Sequence, residues 1–182
     1  IERFAAFGSR VPGYPGERQA YEYIRQRFGE LGLQDVKSDE FEVTVPLDKG
    51  AELRLPNGQR QRVYALWPNG VRTSSLPAGG VHGPLVYGGR GDLEALDGQP
   101  LDGAIALLDF DGGQNYLNLA TLGARAIIFF DNGGGNREQA ADKFLKVPVD
   151  VPRFWIEREE ALALLAKMEE GPFEVNLEGQ MD

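Results

Sequence analysis

The chain has 182 residues, 42% of them hydrophobic, which is enough for one sizeable core and a small appendage. The net charge of −9 argues against nucleic acid and anionic membrane surfaces, since both require basic contact residues. The absence of cysteine excludes disulfides, thiolate metal sites and a cysteine nucleophile. No apolar run is long enough to span a membrane. From the net charge and the lack of such a run, we expect no nucleic-acid partner and no membrane contact by this segment.

The first predicted helix covers residues 15–31. Pro15 suits a first-turn position, where the N–H group that it lacks would have no intrahelical partner. Gly32 can adopt the left-handed conformation that ends a helix. Apolar residues recur along this segment at helical spacing, which predicts one apolar stripe. Its members are Tyr21, Ile24, Phe28 and Leu31.

The apolar period then changes to two, which is typical of half-buried strands. The pattern predicts strands in "FEVTVPL" at 41–47, "AELRL" at 51–55 and "QRVYALW" at 61–67. Pro56-Asn57-Gly58 lies between the second and third strands and predicts a hairpin turn. Residues 68–82 are rich in glycine, proline and serine and are expected to form a loop.

Three apolar segments follow. "GPLVYGG" at 83–89 is bounded by glycines and predicts a strand. "DGAIALLDF" at 102–110 and "GARAIIFFDN" at 123–132 are nearly continuous apolar runs, as in strands buried on both faces. Between them "QNYLNLATL" predicts a short helix, so this unit is expected to be a right-handed parallel crossover.

The last third of the chain contains two further predicted strands and a helix. "VPRFWI" at 151–156 and "FEVNLEG" at 173–179 predict the strands. Residues 157–171 predict a helix with acidic residues at its start and Gly171-Pro172 at its end. Its predicted inner stripe consists of Ala161, Leu165 and Met168.

The segment from Gly83 to Gly171 resembles a protease-associated (PA) domain. The matching pieces stand in order: "GPLVYGGRGD", "LDGAIALLDFDGG", "NLATLGARAIIFFDN" and "VPRFWIEREEALALL". Each piece alone is weak, but the ordered set is fairly specific. The resemblance implies an α+β fold, a PA-domain β-sandwich or open barrel with a β-α-β crossover and small flanking helices.

The N-terminal segment "SRVPGYPGERQAYEYIRQRFGELGL" resembles the first helix of the co-catalytic zinc exopeptidases. That group includes aminopeptidases, glutamate carboxypeptidase and the transferrin receptor, and in many of them a PA domain follows this helix. The resemblance implies that residues 1–40 are the helical flank of a peptidase domain. Residues 41–182 are then a PA domain with its core at 83–171 and flanking strands that lead to a catalytic body outside this chain.

Catalytic residues of that group are absent from the sequence. Its zinc ligands usually open with Gly-x-His-x-Asp, which does not occur here, and the single histidine, His82, stands outside any ligand-spaced motif. No Gly-x-Ser-x-Gly elbow surrounds a serine, so a hydrolase in its own right is a weak alternative. We therefore expect no catalytic residue, metal ligand or cofactor in this chain. The resemblance implies that two zinc ions and the aminopeptidase activity belong to the catalytic body.

Three loop motifs have a functional and a structural interpretation. "DFDGG" at 109–113 offers Asp109 or Asp111 to a cation, but a solvated loop with a helix-capping acid is favoured. "NGGGN" at 132–136 lacks the Lys-Ser/Thr pair of a phosphate loop and is favoured as a flexible surface loop. "RGD" at 90–92 is favoured as a turn at a PA signature position over an adhesion motif.

The resemblance implies a function without catalysis: this part of a zinc aminopeptidase would roof the active-site cleft and control substrate access or protein interaction. In carboxypeptidase relatives the loop after residue 110 supplies an arginine to the substrate carboxylate. Here that loop has none, which favours an aminopeptidase. The candidate substrate-binding residues are Asn115, Asn118, Asn132 and Asn136.

The resemblance also implies partners and a location. The partners would be a peptide or protein substrate and the peptidase body of the parent chain, and the location would be secreted or periplasmic. The alternative is a stand-alone PA-type module that binds proteins or peptides, for example along a sheet edge, with no enzymatic activity.

Overall fold

The computed structural model describes residues 2–144 and 147–182. The chain divides into two compact units, Ile1–Leu47 and Asp48–Asp182.

The first unit contains helices α1 (Glu2–Ala5) and α2 (Pro15–Glu30). The helix predicted at 15–31 is confirmed and ends one residue earlier. Phe4, Phe7 and Tyr23 pack edge to face, with ring centroids 5.3 to 6.0 Å apart. These three rings join α1 and its following loop to α2.

The apolar stripe predicted on α2 is exposed in this chain. Tyr21, Ile24 and Phe28 are 40–41% exposed and Leu31 is 66% exposed. The buried residues of α2 are Gly16 and Ala20. Helical spacing identifies which side of α2 is apolar, but it contains no information on what covers that side.

The strand predicted at 41–47 is wrong. Residues 41–47 have no ladder partner among the described residues, and Phe41 is 82% exposed. Alternation of side chains describes an extended segment, but a strand also needs a neighbour for its N–H and C=O groups.

The second unit is a closed seven-stranded barrel. Its strands are β1 (Asp48–Arg54), β2 (Arg60–Ala65), β3 (Val81–Tyr87), β4 (Ile105–Asp109), β5 (Ala126–Phe130), β6 (Arg153–Trp155) and β7 (Glu174–Met181). The order around the barrel is β1-β2-β6-β5-β4-β3-β7. The expected sandwich or open barrel is therefore corrected to a closed one. It closes because β7 pairs antiparallel with β1 on one side and with β3 on the other.

Strands β3, β4, β5 and β6 pair in parallel, whereas the other neighbours are antiparallel. The predicted hairpin joins β1 and β2, with Arg54 opposite Arg60. Helix α4 (Tyr116–Thr121) lies between β4 and β5 in the chain. The right-handed crossover at this point stays a prediction.

Two apolar cores share the walls of the barrel. Side chains from all seven strands fill the interior, including Ile105, Leu107 and Ile128. The alternate residues, such as Leu108 and Phe129, pack in an outer layer with residues of the helices. Every residue of β4 and β5 is buried, which confirms the sequence expectation of strands covered on both faces.

The remaining helices are α3 (Leu93–Leu96), α5 (Arg137–Phe144) and α6 (Arg158–Glu169). The sequence predicts α6, but its buried side chains are Ala161 and Leu164, while Leu165 and Met168 are partly buried against the barrel core. Among the described helices, none combines the length and the hydropathy that crossing a membrane requires.

Candidate functional site

The loops that follow β3, β4 and β5 lie at one end of the barrel, because parallel strands present their carboxyl ends on the same side. We call residues 88–92, 110–118 and 131–136 the carboxyl-end loop cluster. It contains the four candidate asparagines, the RGD and NGGGN motifs and residues 110–113 of DFDGG. Side-chain hydrogen bonds link the first two of these loops to each other.

The first two loops are joined by side chains of the second. Asn115 donates through Nδ2 to Asp92 Oδ1 at 2.8 Å, and Asn118 donates to the carbonyl of Gly91 at 2.9 Å. Gly91 has a φ of +81°, and a Cβ there would lie 3.0 Å from the backbone of Asn115. The RGD stretch is thus a packed turn, in agreement with its favoured interpretation.

Arg90 reaches the loop after β4, which has no arginine of its own. Its Nη2 donates to the carbonyl of Asp111 at 3.0 Å, and its Nε lies 3.6 Å from Asp111 Oδ1. The approach is close, since a Cβ on Gly112 would lie 2.2 Å from the carbonyl oxygen of Arg90. The structure therefore supplies an arginine to this loop from a different segment, a pairing that sequence reasoning misses.

The third loop is shaped by its own acids and amides. Asp131 Oδ1 accepts the N–H groups of Gly133 and Gly135 at 2.8 and 2.9 Å, and these bonds lower the pKa of the Asp131 carboxyl. Asn132 accepts from the N–H of Gly134 at 3.3 Å. The loop is therefore held in shape by bonds among its own residues.

Asn136 opens α5. Its Oδ1 accepts the N–H groups of Glu138 and Gln139 at 2.9 and 3.1 Å, the bonding of an N-cap. All four candidate asparagines thus take part in hydrogen bonds within the chain. Their role as substrate contacts stays a prediction.

A buried lysine binds the second loop of the cluster. Lys143, on α5, is fully buried and donates through Nζ to the carbonyls of Gly113 at 3.1 Å and Gln139 at 3.3 Å. The ammonium lies 4.5 Å from the ring centroid of Phe110. Burial lowers the pKa of Lys143 to about 8. Helix α5 is thereby fixed to the loop after β4.

A second buried cation, Arg153 of β6, contacts the backbone of Lys143. It donates to the carbonyl of Lys143 and, at 3.4 Å, to the carbonyl of Trp67. Burial lowers the pKa of the Arg153 guanidinium. The sequence analysis anticipates neither buried cation, because lysine and arginine are rarely fully buried.

Tyr87 and Asp109 end β3 and β4. The hydroxyl of Tyr87 donates to Asp109 Oδ1 at 3.0 Å, and burial together with this bond raises the pKa of Tyr87 to about 12. Asp109 is therefore engaged within the protein, but as a buried strand residue rather than as the solvated, helix-capping acid that the sequence favours.

The described residues do not fit a two-zinc centre. His82 lies on β3 with its Nε2 3.4 Å from Glu174 Oε2. Within ranges 2–144 and 147–182, no three histidine, aspartate or glutamate side chains are grouped as metal ligands. Ser74 and Ser75 donate their hydroxyls to backbone carbonyls.

The PA-domain family model matches residues 81–164. The chain is similar in structure to a Peptidase M28 precursor from Shewanella amazonensis SB2B, with a TM-score of 0.67 and 19% sequence identity, over 100% of this chain and 46% of that one. It is also similar to an aminopeptidase from Aneurinibacillus sp. strain AM-1, with a TM-score of 0.51 and 23% identity, over 98% and 43% of the two chains. No curated protein matches the chain.

The structural likeness and the family match support different conclusions. The likeness to the two solved structures concerns the fold, and the chain spans less than half of the length of either one. The family match falls on the barrel, from the start of β3 into α6, and overlaps the segment whose ordered motifs resemble the family. Residues 81–164 of this chain therefore match the PA-domain family.

Proposed function

We propose that this chain is the non-catalytic PA-domain portion of a zinc-dependent aminopeptidase. The observation that supports it most directly is the combination of a PA domain at 81–164 with a fold likeness that extends over the whole chain to an M28 peptidase and an aminopeptidase. The zinc ions and the catalytic residues would lie in the peptidase body of the parent protein. The secreted or periplasmic location belongs to the same proposal.

The first unit supports a peptidase body as partner. Tyr21, Ile24, Phe28 and Leu31 form an exposed apolar stripe on α2, and exposed apolar patches of this kind mark interaction surfaces. In the proposal, the peptidase body covers this stripe. Residues 1–40 would then belong to that body, as the resemblance implies.

The carboxyl-end loop cluster is the part proposed to roof the active-site cleft. Side-chain hydrogen bonds link its first two loops to each other, and Gln139 and the buried Lys143 of α5 bind the second loop. A rim held in this way resists displacement, so it can screen substrates by size. Asn115, Asn118, Asn132 and Asn136 are proposed to face the cleft and contact the substrate.

Insertion of Gly-Ser-Gly between Gly134 and Gly135 of the parent protein tests this role. Surface loops tolerate insertions, so the fold should survive. We expect kcat/KM for a long peptide to fall at least about threefold relative to that for an amino-acid anilide, because the lengthened rim obstructs only the larger substrate. The matched control is the same insertion after Gly58, in the β1–β2 turn. An unchanged ratio in both variants would contradict the access role.

The alternative of a stand-alone module that binds peptides along a sheet edge has less support. Each strand of the described barrel has a neighbour on both sides, so β-strand addition has no long free edge to use.

A further inference from the structure

A concave surface is lined by residues outside the carboxyl-end loop cluster. Helix α3, the turn at 97–102 and Leu122 at the end of α4 enclose a groove of about 470 Å³. We call it the leucine groove. Leu96 and Leu101 are 3% exposed and form its floor, while Leu93 and Leu122 are 64% and 43% exposed and form its walls.

The backbone around the groove is well fixed. Leu96 N–H donates to the carbonyl of Asp92 at 3.1 Å, and Gly103 N–H donates to the carbonyl of Gly123 at 2.9 Å. The groove is therefore formed before any ligand arrives, and a ligand would not have to order its walls.

The charged side chains that line the groove, Asp97 and Asp102, are both acidic. Residues 91–104 contain four acidic residues and no lysine, arginine or histidine. A nearby cation is Arg125, which donates to the carbonyl of His82 at 3.2 Å and whose guanidinium lies within 4 Å of the position that a Cβ on Gly103 would take. An apolar floor with an acidic rim favours a ligand that is apolar in the centre and cationic at its edges.

We propose that the leucine groove binds a peptide segment in which leucine-like side chains are flanked by lysine or arginine. The apolar side chains lie on Leu96 and Leu101 between Leu93 and Leu122, and the flanking cations pair with the acidic rim. An anionic membrane surface is disfavoured by the same acidic rim. None of the residues that line the groove belongs to the carboxyl-end loop cluster, so this proposal is independent of the proposed peptidase role.

The test is a titration of the isotope-labelled 182-residue chain with the peptide acetyl-KLLKKLLK-amide, followed by NMR. The control probe is acetyl-ELLEELLE-amide, which has the same leucines and the opposite charge. We expect the lysine probe to shift the amide signals of 93–102 and 122. Binding should weaken as the salt concentration rises, because salt screens charge pairs at an exposed rim.

Three variants locate the site. Leu93→Ser and Leu122→Ser alter exposed walls and should each weaken binding of the lysine probe about fivefold, and Asp97→Asn about threefold. Leu162→Ser is the matched control, because Leu162 is also an exposed helical leucine, at 46%, but lies on α6. It should leave the affinity unchanged. Equal binding of the glutamate probe, shifts confined to residues outside the groove, or an unchanged affinity in both leucine wall variants would overturn the proposal.

Discussion

The side-chain oxygen of Asn136 accepts two backbone N–H groups at the start of α5. Replacement by alanine removes this N-cap, and we expect Asn136→Ala to lower the free energy of unfolding by about 1 kcal/mol. Asn136→Ser keeps a capping oxygen, so its free energy of unfolding should stay close to that of the unsubstituted protein. Urea unfolding of both variants measures the difference. Equal losses in the two variants would show that the cap does not stabilise the fold.

Lys143 gives the stability of the domain a pH dependence of its own. Its pKa falls from the ordinary 10.5 to about 8, because burial disfavours the charged ammonium. Between these two values the unfolded chain binds a proton that the folded protein does not. This lysine therefore makes the free energy of unfolding rise as the pH rises from 8 to 10.5.

Lys143→Met removes this titration. As the pH is raised from about 7.5 to about 10, we expect the unsubstituted protein to gain stability relative to the variant. Only the unsubstituted protein loses a buried charge over that range. Urea unfolding at both pH values gives the comparison. If the difference between the unsubstituted protein and the variant stays constant, Lys143 does not titrate in this window.

At the residue scale, sequence patterns identify positions but not partners. Three of the four candidate asparagines lie in loops after buried strands, and Asn118 lies in the first turn of α4. The bonds from Asn118 to Gly91 and from Asn115 to Asp92 join segments more than twenty residues apart, which local spacing cannot reveal. The burial of Lys143 has no local signal either, since a lysine in a short helix is normally a solvent-exposed residue.

Two glycines of α2 show how one element responds to packing. A Cβ on Gly29 would meet no atom within 4 Å, whereas a Cβ on Gly16 would lie 2.1 Å from the carbonyl oxygen of Phe7. The same substitution by alanine should therefore have opposite effects at the two ends of the helix.

We expect Gly29→Ala to stabilise α2 by up to about 1 kcal/mol, through helix propensity alone. Gly16→Ala should instead destabilise the first unit, because backbone must move to make room. Hydrogen exchange of the amides of residues 18–30 measures both effects, with slower exchange for the first variant and faster exchange for the second. Similar exchange in the two variants would contradict the packing of Gly16 against Phe7.

Elements with a clear apolar pattern are predictable from the sequence, and those without one are not. The apolar runs at β4 and β5 and the patterned helices α2 and α6 are located correctly, because their side chains follow the period of the element for its whole length. Helices α3 and α5 escape prediction, since four residues and the polar segment "REQAADKF" offer no clear apolar stripe. The alternating segment 41–47 has the pattern of a strand, but among the described residues no strand pairs with it.

For the molecule as a whole, the ordered motifs from Gly83 onward are sufficient to predict a PA domain from the sequence. Closure of the barrel is beyond that reasoning, because it depends on the pairing of Ala51 with Gly179 and of Val81 with Leu177. No local pattern encodes contacts at such separation. The whole-molecule function then depends on what accompanies the PA domain, since a fold alone does not define an activity.

The central claim is that this chain is one portion of a zinc aminopeptidase, and the most direct measurement is the sequence of the native gene downstream of the codon for Asp182. The proposal predicts a reading frame that continues and encodes Gly-x-His-x-Asp within the next strands, the opening of a co-catalytic zinc site. A stop codon directly after Asp182 would contradict it and leave a stand-alone binding domain.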